Sequence, residues 1–381
     1  MIKHYLKLAA RHFGKNLMFS LINLFGLAFG LAAAFAVVLY IFDELSYENF
    51  HKKAENIVRV NTIGDFDGQV FNLATAPNQI APFMGDNLPE IEEATRVFRH
   101  NFGESTSIQV GENNFVEPHL FWADPNVFDV FTFDFIEGNA EGALDRVNTV
   151  VISASTAKKL FGNQAAVGKN IKIDSRYDLE VTGVFKDMPD QTHMPFSVMG
   201  SFQSIGFGKP ERLSWSNASF YTFFLHPKQT NLDQLSAKVN DLLANEVPEG
   251  QLWYSLELKP LLDIHLNSPN IEDDGVNYGS MNQIWIMVSL ALVLIFIACI
   301  NYMNLATAKS QKRAKEVAIS KTVGASSAQL VRQYYVETAL LAAGGIVLSL
   351  IILGFSLPAI NSISGKSLTF LQLLQPKKRQ A

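Results

Sequence analysis

Three long apolar stretches constrain this chain more than any other feature: Leu17 to Phe42, Ile284 to Leu305 and Val336 to Ile360. A helix rises about 1.5 Å per residue and the hydrocarbon core of a bilayer is about 30 Å thick, so about 20 mainly apolar residues cross it. All three qualify. The one charge among them, Glu337, falls at the start of the third, at a headgroup depth that tolerates it. Core helices of soluble proteins rarely stay apolar on every face over such lengths.

Charge then orients the chain, because Lys and Arg are retained on the cytoplasmic side. Lys3, Lys7, Arg11 and Lys15 precede the first span without an acid, and Lys309, Lys312, Arg313, Lys315, Lys321 and Arg332 lie between the second and third spans against Glu316 alone. Residues 43–282 carry 17 Lys and Arg against 34 Asp and Glu. The net charge of −5 therefore conceals two compartments, with a cytoplasmic N-terminus and a large acidic exported region. The first apolar run is too long for a cleaved signal peptide and reads as a signal anchor. The single cysteine, Cys299, lies in the second span, which leaves the exported region no disulfide and rules out Cys-based zinc sites.

The predicted organisation follows. Residues 1–16 form a cytoplasmic segment, either an amphipathic helix on the inner membrane face or a basic leader. The first span covers 17–42, the exported domain 43–282, the second span 284–307, a cytoplasmic segment 308–335, the third span 336–360 and a tail 361–381. Gly26, Gly30 and Ala34 place small residues on one face of the first span, where another helix could approach closely.

The exported region is predicted to be mixed α and β. Strands are expected at Asn56 to Thr62, Thr149 to Ser153, Asn170 to Ile173, Leu179 to Phe185 and Phe220 to Leu225, with helices from Ser155 to a stop at Gly162 and after an Asn231 cap. Beyond the second span a helix is expected to continue through Lys309 to Val323 and close at Gly324. Ser326 and Gln329 then open the next helix as a capping box.

No catalytic constellation is found. Gly365-Lys366-Ser367 matches only the end of a phosphate-binding loop, because Ile360 stands where the motif needs glycine. His51, His100, His119, His193, His226 and His265 have no metal-ligand spacing and read as surface or hydrogen-bonding residues. Glu272-Asp273-Asp274 reads as a solvated turn, and Ser153 and Ser197 have no catalytic partners in sequence. An acidic exported region also argues against nucleic acid as a partner.

One ordered set of phrases goes further. Asn301 to Ala308, Arg313 to Lys321, Gly324-Ala325-Ser326 and Gln333 to Glu337 resemble the FtsX-type permease domain of MacB-like ABC transporters. Tyr47 to His51, Ala157 to Gly162, Val167-Gly168-Lys169, Val181 to Val184, Asp187-Met188-Pro189 and Asp263 to Leu266 resemble that family's periplasmic core domain.

The resemblance implies membrane helices with a mixed α+β periplasmic domain inserted between the first and second spans, in a multi-pass protein of the bacterial inner membrane. It implies a non-catalytic permease subunit. A separate ABC ATPase would bind ATP and Mg and dock at Lys309, Lys312, Arg313, Glu316, Val317, Ile319, Lys321, Gly324 and Ala325. This chain itself would hold no cofactor. Implied partners are a second copy or permease half, a membrane-fusion protein, an outer-membrane channel and membrane lipids. Ala318 and Ser320 depart from the family's usual Gly and Arg. The family's fourth span is also expected after the third, so the chain reads as a partial permease, with Lys377, Lys378 and Arg379 on the outer side. An FtsX-like regulator of a wall hydrolase and an extracytoplasmic sensor need the same topology. The segment between the second and third spans is too short for a sensor's output domain.

Overall fold

The computed structural model describes residues 17–66, 68–248, 252–268, 270–272, 278–324 and 326–370. The expected basic segment 1–16 and the cluster Lys377, Lys378 and Arg379 lie outside the described residues. The α-helices are α1 (Leu17–Glu44), α2 (Ile80–Asn87), α3 (Val127–Val130), α4 (Ala154–Phe161), α5 (Leu232–Glu246), α6 (Met281–Thr322) and α7 (Ser327–Ser364). The chain divides into two compact units, one of residues 1–45 with 281–381 and the other of residues 46–280.

The first unit is helical. Among the described residues three segments are long and apolar enough to cross a membrane: Leu21–Glu44, Met281–Asn304 and Ser327–Ser364. Helix α1 packs against both α6 and α7. Some hydroxyls on these helices bond within their own turns, with Ser289 donating to the Trp285 carbonyl at 2.9 Å and Ser356 to that of Ile352 at 2.9 Å.

The second unit is a mixed sheet with covered faces. Its strands are β1 (Ile57–Phe66), β2 (Gln69–Leu73), β3 (Glu93–Arg99), β4 (Thr106–Val110), β5 (Asn113–Glu117), β6 (Leu120–Ala123), β7 (Phe135–Gly138), β8 (Thr149–Ser153), β9 (Asn170–Ile173), β10 (Tyr177–Phe185), β11 (Val198–Ser201), β12 (Tyr221–Leu225) and β13 (Tyr254–Pro260). Their order is β13-β1-β12-β3-β6-β11-β8-β10-β9-β4-β5, with β2 added to β1 and β7 to β10. The β8–β10 and β6–β11 pairs are parallel, and the other pairs are antiparallel.

The period-2 alternation of strands sorts side chains to opposite faces. Val58, Val60 and Phe224 face a cluster under α2 and α5, closed by Leu235, Val239 and Leu243, whereas Ile57, Phe223 and Leu225 face a second cluster with Phe121, Phe131 and Phe185. A third gathers Trp122, Val150, Ile152, Ile171 and Val181 under Leu160 of α4. Each such fully buried side chain contributes about 1.5–3 kcal/mol.

Caps set where the helices begin. Ser153 accepts from the Thr156 amide, so α4 starts at Ala154, and Gly162 ends it at φ +66°. Asn231 accepts from the Gln234 amide at 3.1 Å and starts α5. Asn240 on that helix exchanges two 2.8 Å bonds with the Leu256 backbone, which covers part of the exposed edge of β13.

Candidate coupling corner and packing faces

Helix α6 is 42 residues long, about 63 Å by its rise. Its apolar window ends at Asn304, so the helix runs on about 27 Å through the basic segment without a break. Lys309, Lys312, Arg313 and Glu316 lie on this backbone; their side chains, and the expected pairing of Glu316 with Lys312 and Arg313, lie outside the described residues, as does Ala325.

The helix closes where Gly324 takes φ +96°, a conformation that costs a residue with a Cβ. Ser326 then caps α7: its hydroxyl accepts from the Gln329 amide at 3.3 Å, and the Gln329 side chain accepts from the Ser326 amide at 3.1 Å. The two long helices are thus joined by a tight reversal. Val317, Ile319, Lys321 and Val323 are exposed around it, Val323 at 83%.

The small-residue face of α1 lies where bulk is excluded. A Cβ on Gly30 would stand 2.7 Å from the Ala298 Cβ of α6, and one on Gly26 would collide with the Asn301 amide. Ala34 is buried. On the other flank of α1, Leu27 Cδ2 lies 2.7 Å from the position a Cβ on Gly345 of α7 would take. Small residues on both sides let the backbones close on each other, which is how helices pack where lipid supplies no hydrophobic drive. Glu337, placed at headgroup depth by the sequence, is buried.

The far end of α1 carries a charge cluster that the sequence does not announce. Lys366 Nζ lies 2.5 Å from Asp43 Oδ2 and 2.6 Å from Glu44 Oε1, and it sits over the Tyr40 ring at 4.8 Å. The sequence assigns Asp43 and Glu44 to the exported domain and Lys366 to a tail; packing gathers all three in the helical unit.

In the second unit five of the six histidines, all but His119, are buried. Glu48, at φ +61°, is fixed by its amide donating to the Gln191 carbonyl at 3.0 Å. Its carboxylate accepts from the His193 amide and from His193 Nδ1, both at 2.6 Å, and His51 Nε2 stands 3.2 Å from its other oxygen. The Thr132 amide donates to His51 Nδ1, so the ring proton of His51 is on Nε2, toward Glu48. Burial alone would raise the Glu48 pKa, but the charge and hydrogen bond of His193 and then the hydrogen bond of His51 outweigh it and hold the carboxyl well below its ordinary range. Trp122 Nε1 donates to His100 Nδ1 at 2.9 Å, and His100 Nε2 therefore donates to Asp174 at 2.8 Å.

These contacts show what some of the quoted phrases do physically. Tyr47 and His265, from the first and last phrases of the exported region, stack with ring centroids 3.4 Å apart. Gly168 takes φ +82° and its amide donates to Val181. A Cβ on Gly183 would stand 2.5 Å from Phe135. Asp187 accepts from the Ser155 amide at the start of α4. Ser197 donates to Glu117 at 2.7 Å, a structural bond between strand ends. Among the described residues no group of three or more His, Cys, Asp or Glu could hold a metal. Glu272 pairs through its backbone with Leu73, and Asp273 and Asp274 lie outside the described residues.

Comparison with known proteins bears on the whole chain. The MacB-like periplasmic core domain model matches residues 20–242, and the FtsX-like permease C-terminal model matches residues 288–376. The macrolide export ATP-binding/permease protein MacB of Aggregatibacter actinomycetemcomitans is 24% identical over 85% of this chain and 48% of its own length. That of Salmonella typhimurium is 22% identical over 91% of this chain and 54% of its own. The ABC transporter permease YknZ of Bacillus subtilis is 23% identical over 56% of this chain and 48% of its own. The chain spans about half the length of the curated relatives it matches.

Among solved structures, a permease-protein domain from Porphyromonas gingivalis aligns at a TM-score of 0.47 and 19% identity, over 55% of this chain and 92% of that domain. The periplasmic region of MacB from Actinobacillus actinomycetemcomitans aligns at 0.39 and 18%, over 54% and 89%. Matched over more than half its length by the periplasmic core model and over its last helices by the permease model, the chain belongs to the MacB/FtsX family of ABC transporter permeases.

Proposed function

We propose that this chain couples ATP hydrolysis by a separate ATPase, docked at the reversal around Gly324, to movement of its extracytoplasmic domain. The observation that carries this reading is the unbroken α6, which joins an apolar span to a basic segment ending in a capped turn with exposed Val317, Ile319 and Val323. A continuous helix transmits a push along its axis, and a turn fixed by Gly324 and a capping box gives a partner a rigid surface to bear on. ATP and Mg belong to the partner, and this chain supplies contact and leverage. The N-terminus and the Gly324 reversal face the cytoplasm of a bacterial inner membrane. The relatives' printed names make export the direction of transport to test first. A second permease half, a membrane-fusion protein and an outer-membrane channel are the further partners to seek.

Charge reversal at Arg313 and Glu316 weakens co-purification with the ATPase while membrane insertion is kept; undiminished co-purification overturns the docking site. Cysteines placed at Ser216 and Ser310 are labelled from opposite faces of the membrane. Labelling of both from one face overturns the topology.

A further inference from the structure

The Lys366 cluster is built as a contact that is held firmly and can still be broken. Gly365, at φ +67°, ends α7, and its amide donates to the Asn361 carbonyl at 2.9 Å. The Asn361 side chain then clamps the returning backbone, accepting from the Leu368 amide at 3.0 Å and donating to the Leu368 carbonyl at 3.1 Å. Leu368 is buried with Leu39, Leu353 and Leu357, and Phe370 packs over Gly354. Lys366 is therefore pinned between two anchors. Its side chain still gives up rotamer freedom to make the contact, but the fixed backbone keeps the ammonium within reach of α1.

Its ammonium reaches the last two residues of α1, and their side chains are almost wholly shielded, Asp43 at 2% and Glu44 at 7% exposure. Apolar residues could fill the same space with no loss of stability, because desolvating charges offsets most of their attraction. What an ion pair adds is an alternative: once the helices part by a water's width, both partners hydrate and the contact is lost as a unit.

We propose that the Lys366 contact with Asp43 and Glu44 is a latch. It holds the end of α1 against the end of α7 in the resting state and opens in the working state, freeing α1 at the point where the chain leaves for the second unit. The proposal rests on the coupling reading above. A latch that favours the resting state restrains turnover, so weakening it shifts the population toward the working state.

The test uses the full chain with its co-purified ATPase in lipid. Lys366→Met raises ATP hydrolysis in the absence of cargo by about threefold or more, and Lys366→Glu does the same. The swap Asp43→Lys with Lys366→Glu, which keeps the cluster's net charge, returns turnover toward the starting rate. A merely structural contact predicts lower turnover or lower yield of the complex instead. Unchanged or lowered turnover in an intact complex overturns the latch while leaving the coupling reading in place. A chain that brings down no ATPase overturns both. Independently, Ala36→Cys with Ile360→Cys, both packed against the Leu39–Leu368 cluster and leaving Asp43, Glu44 and Lys366 in place, in a Cys299→Ser background, is cross-linked by a short bismaleimide in the nucleotide-free complex. The yield falls about threefold or more after trapping with Mg-ATP and vanadate, and equal yields in the two states overturn the proposal even if the charge variants fold poorly.

Discussion

The two units place their large side chains in opposite ways. In the second, Trp122, Phe121, Phe131, Phe185 and Phe223 are almost completely buried. In the helical unit Phe296, Phe355 and Ile363 are exposed, at 66%, 85% and 88%, while Gly26, Gly30, Ala34, Ala298 and Gly345 line the helix contacts. Water drives large apolar groups inward; lipid does not, and leaves close backbone packing to choose small residues for the interior. Buried charge differs as well. The sheet unit surrounds Glu48 and Arg96 with hydrogen bonds, whereas the helical unit, besides Glu337, gathers charge at the end of a span, at Asp43, Glu44 and Lys366.

The contrast can be broken first in the sheet core. Trp122→Ala empties a large volume and strips His100 of its indole donor, and it should lower the second unit's stability by about 4 kcal/mol, read by thermal unfolding in detergent. Asp124→Ala comes next. Asp124 holds Arg96 through Nε at 2.8 Å and Nη2 at 2.9 Å, and removing it strands a mostly buried guanidinium at a cost of about 3 kcal/mol.

In the helical unit the rule reverses: Gly30→Leu adds apolar surface and should still cost about 2 kcal/mol, because the space is occupied by Ala298. Loss of cross-linking between α1 and α6 is the readout, and an unaffected yield means that the glycine face does not govern packing. Within the sheet unit the pH dependence should be gentler. Glu48, Asp174 and Asp187 have folded pKa values below their unfolded ones, so the stability they give is present above about pH 4.5 and is lost as pH falls below it. Burial also lowers His119, whose contribution begins to fade below its ordinary value near 6.5. Hydrogen exchange from pH 7 to 4 should show β-strand amides losing protection, and Glu48→Gln should flatten that slope. The smallest effect is expected at the reversal, where Ser326→Ala removes one cap and costs about 1 kcal/mol, read as exchange confined to the first turn of α7.

The apolar spans, the Asn231 cap, the Gly324 turn and the Ser326–Gln329 capping box were all legible in the sequence, and so were the strands at 149–153 and 170–173. Each rests on residues within a few positions of one another, so periodicity and local hydrogen bonding suffice to determine it. The residues proposed for coupling were nameable only through resemblance to a family, because a docking surface would have no signature in its own periodicity. Pairings across the chain were not legible at all. Glu48 meets His193 across 145 residues and Asp43 meets Lys366 across 323, and nothing near either residue marks its partner. The sequence by itself determined which segments enter lipid, where helices start and stop, and which stretches become strands. Only the tertiary structure decided which histidines share a carboxylate and which lysine closes on the first span, because those contacts form when packing brings distant segments together and excludes the water that would otherwise satisfy them.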